Sequence, residues 1–177
     1  MKSSPIAGRP LVRIFLVGFM GAGKTTVGEA LASAMGWRFV DLDMLIEQRE
    51  GQAIREIFKT RGEQEFRRLE REAIAACRQM SGAVIALGGG AYIAEANRAL
   101  LREIGVTVWL DCPLEVCLQR ITGDATRPLL RSREETCELF ERRRPAYALA
   151  DLIVETGDRL PEELAAEILT LLPDTHS

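Results

Sequence analysis

Residues 18–26 read GFMGAGKTT and follow directly on the apolar run Val12–Val17. The pattern Gly18-x-x-x-x-Gly23-Lys24-Thr25 permits few folds, because it works only as the bend between a strand and a helix. The glycines let consecutive backbone N–H groups turn inward on phosphate groups, and the helix behind them aims its positive N-terminus at the same point. Lys24 would reach the β- and γ-phosphates and the Thr25 hydroxyl would ligate Mg²⁺. The chain is therefore expected to hold a nucleoside triphosphate within an α/β fold. What it does with the phosphate must be read from the other residues.

Strand-length apolar runs recur at 13–17, 37–40, 83–87, 106–110 and 152–154. Helical patterns lie between or after them, near 25–35, 63–80, 95–104, 113–121 and 161–172. This alternation predicts a parallel sheet with helices on both faces. Ala83–Leu87 is apolar throughout, which suits a strand covered on both sides. Two stretches interrupt the rhythm. The helical region 43–59 runs on into 63–80 and is long for a simple crossover. Residues 122–133 are polar and carry Arg127, Arg131 and Arg133. The expected organisation is one domain over 11–172, with an insertion at about 43–80, a lid at about 122–133, and tails at 1–10 and 173–177. His176, the one histidine, falls in a tail.

Composition narrows the partners. A formal charge of −3 gives no electrostatic reason to expect nucleic acid or an anionic membrane. No apolar stretch is long enough for a signal peptide or a membrane span. Cys77, Cys112, Cys117 and Cys137 lack metal-site or CxxC spacing and read as structural thiols of a reducing compartment, so a cytoplasmic location is expected. A guanine-nucleotide switch would need an Asn-Lys-x-Asp motif, yet the single asparagine, Asn97, is followed by Arg-Ala-Leu. A motor would need an acidic strand end with a catalytic Glu beside it. Asp111 comes nearest, but Cys112-Pro113 follow, and a helix cap is the plainer reading.

The remaining features suggest an acceptor site. Asp41-Leu42-Asp43 ends the second strand run, and period-two alternation would put both carboxylates on one face at the ligand-binding edge of the sheet. One could hold water on a magnesium ion and the other could accept from a substrate hydroxyl; alternatively, one caps the next helix. Phe66, Leu69, Ala73, Cys77 and Met80 form an apolar helical stripe. Arg67 sits beside it within reach of Glu63 and Glu70, which reads most simply as a surface salt-bridge lattice. Gly88-Gly89-Gly90 ends a buried strand, and three glycines suggest a ligand lying against the backbone. Arg143 falls three and four residues after Phe140 and Leu139, so it points with the apolar side while Arg142 and Arg144 splay outward. It is either a snorkelling stem or a clamp for a carboxylate.

Taken in order, GFMGAGKTT, FVDLD, GEQEFRRLE, LGGG, RPLL and RRRPAY make the chain resemble the shikimate kinase family from about residue 12 to 172. The resemblance implies a nucleoside-monophosphate-kinase-like P-loop fold with a five-stranded parallel sheet, a substrate-binding helical insertion and a mobile lid. It implies transfer of the γ-phosphate of ATP to the 3-hydroxyl of shikimate, on the route to chorismate. By the same resemblance, Gly21, Ala22, Gly23, Lys24, Thr25 and Thr26 would hold ATP, with Arg120 over the nucleotide and Arg127 reaching the phosphates from the lid. Mg²⁺ would sit on Thr25, with Asp41 helping through water. Asp43, Arg67, Gly88, Gly89, Gly90 and Arg143 would bind shikimate, the two arginines gripping its carboxylate. Lys24, Asp43 and Arg127 would be catalytic, and a monomer is expected. Residues 155–159 fit less distinctly, so base contacts stay open. Gluconate kinases and nucleoside monophosphate kinases share the loop and fold, and an idle ATP-binding module is the alternative from another class.

Overall fold

The computed structural model describes residues 11–122 and 132–173. Five strands run parallel: β1 (Arg13–Val17), β2 (Arg38–Asp41), β3 (Ala83–Ala86), β4 (Val106–Asp111) and β5 (Leu152–Glu155). Their spatial order is β2-β3-β1-β4-β5. The helices are α1 (Lys24–Met35), α2 (Leu42–Glu50), α3 (Ile54–Ala76), α4 (Glu95–Ile104), α5 (Leu114–Thr122), α6 (Arg133–Tyr147) and α7 (Pro161–Leu171).

The order dictates the layers. From β1 the chain steps outward to β2, then reverses and moves across the sheet through β3 and β4 to β5. Right-handed crossovers therefore place α1 on one face and α3 and α4 on the other. Packing agrees: α7 lies on α1, and α3 lies on α4. Every residue of β3 is buried, as its unbroken apolar sequence requires. Gly28 lets α1 approach β2 closely, since a Cβ there would stand 2.5 Å from the Phe39 ring.

Register brings the strand ends level. Asp41 pairs with Ala86, Leu16 with Ala86 on its other side, and Asp111 with Glu155. The loops that follow β1, β2, β3, β4 and β5 consequently open at one carboxyl edge, where the chain leaves β1 in one direction and leaves its neighbours β3 and β4 in the other.

Three boundaries differ from the sequence reading. The helical region expected over 43–59 divides between α2 and the first part of α3, and the run expected at 63–80 forms the second part of α3, which ends at Ala76 and finishes in a 3₁₀ turn, Cys77–Gln79. Gly62 breaks it with φ 84° and ψ 171°, a backbone region open essentially to glycine alone, so the second half takes a new direction. Residues 133–147, not assigned as an element from periodicity, form α6, opened by the Ser132 side chain accepting from the Glu135 N–H. Among the described residues no helix is long and apolar enough to cross a membrane. Cys77, Cys112 and Cys117 are buried free thiols, and Cys137 is half-buried. Most of the expected lid, with Arg127 and Arg131, lies outside the described residues, as does His176.

Candidate active site

The phosphate loop has the expected form. Gly23, at φ 93°, precedes the first residue of α1, so Lys24, Thr25 and Thr26 open the helix at its positive end. Gly21 packs so tightly on α5 that a Cβ would lie 2.7 Å from the Cys117 carbonyl oxygen. Lys24 Nζ donates to the carbonyl oxygens of Gly18 and Phe19 at 2.8 and 2.9 Å, curling over the hollow where phosphates would enter. Arg120 spans the loop from outside, donating to Gly21 O at 3.1 Å and Gly157 O at 3.4 Å. Beside it a cleft of about 450 Å³ opens along the ends of β4 and β5, lined by Cys112, Pro113 and Leu114 on one side and Thr156, Gly157 and Arg159 on the other. A hydrogen bond from Cys117 draws the Cys112 thiol below its ordinary range, while the same contact, with burial, pushes Cys117 up.

The two aspartates do not share a strand face. Asp41 ends β2 and caps α2, its Oδ1 accepting from the Met44 N–H at 3.1 Å. Asp43 lies in the first turn of α2. The helix begins at Leu42, two residues before the start near Met44 that the alternation assumed, and the turn swings Asp43 over the loop after β3.

That loop explains its own glycines. A Cβ on Gly88 would stand 2.8 Å from Asp43 Oδ1; one on Gly89, 3.0 Å from Arg143 Nη1; one on Gly90, 2.7 Å from Arg67 Nη2. The space that three side chains would fill is thus occupied first by an anion and two cations drawn from α2, α6 and α3. The ligand expected against the backbone would meet these groups as well. The cluster adjoins the phosphate loop, since the Cβ position on Gly89 is 3.8 Å from Gly18 O.

Arg67 and Arg68 face opposite ways. Arg68 is exposed and pairs with Glu65 and Glu72, also on the surface. Arg67 is half-buried and donates through Nη1 to both oxygens of Glu70 at 3.0 and 2.9 Å, with Glu63 at 3.5 Å. Glu70 is only 1% exposed, so the pairing is no surface lattice. Burial raises the Glu70 pKa, and Arg67 pulls it back down. Sequence counted Glu70 among surface charges; its signal was position, four residues after Phe66 on the buried stripe.

Arg143 is half-buried between exposed neighbours, as its spacing predicts. Its guanidinium lies over the Phe19 ring of the phosphate loop at 6.0 Å. Arg144 turns away, pairing with Asp111 at 2.9 Å and covering Trp109. Tyr147, overlooked in the sequence, is buried and donates to Gly89 O at 2.5 Å.

This arrangement can bind a polyphosphate at one end of a short trough and an anionic polyol at the other. Two guanidinium groups beside one carboxylate form a set that can meet an anionic, hydroxylated ligand. Comparison with known proteins shows the family. The shikimate kinase family model matches residues 20–173. A shikimate kinase of Geobacter sulfurreducens is 50% identical over 173 residues, covering 96% of this chain and 94% of its own. A solved shikimate kinase from Acinetobacter baumannii in complex with shikimate superposes with a TM-score of 0.85 at 38% identity, covering 94% of this chain and 96% of that one. A gluconokinase from Sinorhizobium meliloti, with a TM-score of 0.62 at 19% identity over 92% of each chain, shares the fold alone.

Proposed function

The chain belongs to the shikimate kinase family, an ATP-dependent kinase acting on the 3-hydroxyl of shikimate in chorismate synthesis, and from that premise we propose how its residues divide the work. The observation that carries the proposal is the convergence of Asp43, Arg143 and Arg67 on three consecutive glycines beside the phosphate loop.

Arg67 and Arg143 grip the shikimate carboxylate, each as a planar fork that matches it. Glu70 holds Arg67 by Nη1, while Nη2, with Glu63 at 3.5 Å, lies over the Gly90 peptide at the trough. With the carboxylate anchored, the ring extends toward Asp43, which accepts from the reacting hydroxyl and points its lone pair along the line to the γ-phosphorus. Phosphoryl transfer passes through a loose transition state, so orientation counts for more than basicity. Lys24 releases the Gly18 and Phe19 carbonyls and turns to the β- and γ-phosphate oxygens. The backbone of 21–26 and the start of α1 receive the charge that shifts to the leaving group. Arg120 covers the nucleotide, and the cleft between Cys112 and Gly157 takes the base. Arg127, outside the described residues, is assigned to the phosphates by family resemblance.

The donor set suits Mg²⁺, which keeps several waters and takes few protein ligands: the Thr25 hydroxyl at the helix start, and Asp41 through water. When bound, that ion neutralises phosphate charge. Asp41 spends one oxygen on its cap and has a second for a water.

A cytoplasmic monomer without nucleic-acid or membrane partners completes the proposal. The location and the absence of such partners are supported by three buried free thiols and a net charge of −3. The test is ADP release coupled to a dehydrogenase, run with shikimate, gluconate and nucleoside monophosphates. Turnover is expected with shikimate alone; a preference for either other class would overturn the acceptor assignment.

A further inference from the structure

Arg143 has a socket. One wall is Phe19, whose ring lies 6.0 Å beneath the guanidinium and is itself wedged edge-on against Phe140 at 5.2 Å. The floor is the Gly89 peptide, where Nη1 stands 3.0 Å from the absent Cβ. The third side is Tyr147, one helical turn after Arg143 on the same face of α6. Its Oη is 3.6 Å from that same Cβ position and donates to Gly89 O at 2.5 Å. Its ring packs tilted on Trp109 of β4, with centroids 6.1 Å apart. Phenol and guanidinium thus flank a single peptide at the bottom of the trough.

We infer that Tyr147 is a positioning residue for the acceptor: its hydroxyl fixes the Gly89 peptide and seats the Arg143 guanidinium at the height where it meets the substrate carboxylate. The inference rests on the reading that Arg143 grips that carboxylate. Two features support it. A buried phenol needs a partner, but any carbonyl would satisfy it; this one belongs to the glycine over which Arg143 lies. Tyr147 also ties the end of α6 to the loop after β3, so it fixes the spacing between the helix that carries Arg143 and the loop that carries the floor. Burial pushes the phenol up to about 12, against the opposing effect of Arg143, so Tyr147 keeps its proton and remains a donor at neutral pH.

A purely structural tyrosine would make the same hydrogen bond, so the test must separate the two. Tyr147→Phe keeps the ring on Trp109 and removes only the donor. KM for shikimate is expected to rise about tenfold, the effect of one lost buried hydrogen bond. KM for ATP and kcat should stay within about twofold. In an Arg143→Ala background the same change should add nothing to the KM for shikimate, because the two residues act as one unit. A shikimate analogue with its carboxylate reduced to an alcohol should be bound equally by Tyr147→Phe and wild type. An unchanged KM for shikimate in Tyr147→Phe, or an equal rise in both backgrounds, would overturn the inference. Arg143→Ala with wild-type affinity for shikimate would instead overturn the underlying reading of Arg143. If Tyr147→Phe is too unstable for kinetics, titration of shikimate into the variant saturated with ADP reads the same difference, since bound nucleotide stabilises the fold.

Discussion

Alanine at Gly90 and at Gly88 should damage different steps, although the two lie two residues apart in one loop. Neither has a positive φ, so alanine fits the backbone and only the space above it is tested. At Gly90 the new methyl would lie 2.7 Å from Arg67 Nη2 and 2.8 Å from Nη1. Ordinary contact begins near 3.5 Å, so the guanidinium must retreat by about 0.8 Å. It is the far end of a long side chain and can do so without unfolding anything. Its fork then no longer meets the carboxylate squarely. Losing that charge-assisted pairing costs about 2–3 kcal/mol, or about 30- to 150-fold in affinity for shikimate. KM for ATP should hold, and Tm should not fall, because removing a glycine also restrains the unfolded chain. At Gly88 the methyl would lie 2.8 Å from Asp43 Oδ1, displacing the group that orients the hydroxyl. There kcat should drop on the order of 10²-fold, with a smaller change in KM. Steady-state kinetics with each substrate varied against saturating partner, plus calorimetric Tm, resolves both. Equal kinetic signatures for the two variants, or a wild-type KM for shikimate in Gly90→Ala, would refute the geometry.

The other predictions follow from the same site. Asp43→Asn should lower kcat on the order of 10²–10⁴-fold with ATP affinity held, whereas Asp41→Asn, which keeps the cap on α2, should mainly raise the Mg²⁺ requirement; kcat across a Mg²⁺ titration separates them, and rescue of Asp43→Asn by excess metal would reverse the roles. Arg67→Ala should weaken shikimate binding by about 2–4 kcal/mol, while Arg68→Ala, whose partners Glu65 and Glu72 lie at the surface, should leave it unchanged in calorimetric titration. Glu70 has its pKa raised above 4.5 in the fold, so it favours folding below 4.5 and that contribution is lost as pH rises through the raised value. Glu70→Gln should therefore flatten the fall of stability with pH above 4.5, measured by urea denaturation; an unchanged slope would contradict the burial of a titrating carboxyl.

Legibility in the sequence followed how local the cause was. The strands and α1, α4, α5 and α7 were readable to within a residue or two, because each carries its own apolar period. The phosphate loop was readable because its backbone geometry requires glycine at fixed positions. Asp43 was singled out for a mistaken reason: alternation along a strand was extended past the point where Asp41 caps a helix. α6 was missed as an element because charged residues crowd 133–144 and Pro145 interrupts its end, so its apolar face is thin. The glycine loop drew attention, but its meaning depended on where three distant side chains arrive. Glu70 and Tyr147 act through partners far off in the fold or through burial, which spacing alone does not report.

The division of labour at the acceptor end is tested most directly by a crystal structure with shikimate and ADP bound. The shikimate carboxylate should lie between Arg67 and Arg143, within about 3 Å of each guanidinium, and the 3-hydroxyl should stand within hydrogen-bond reach of Asp43 above Gly88. A carboxylate seated away from both arginines, or a 3-hydroxyl turned from Asp43, would contradict the account.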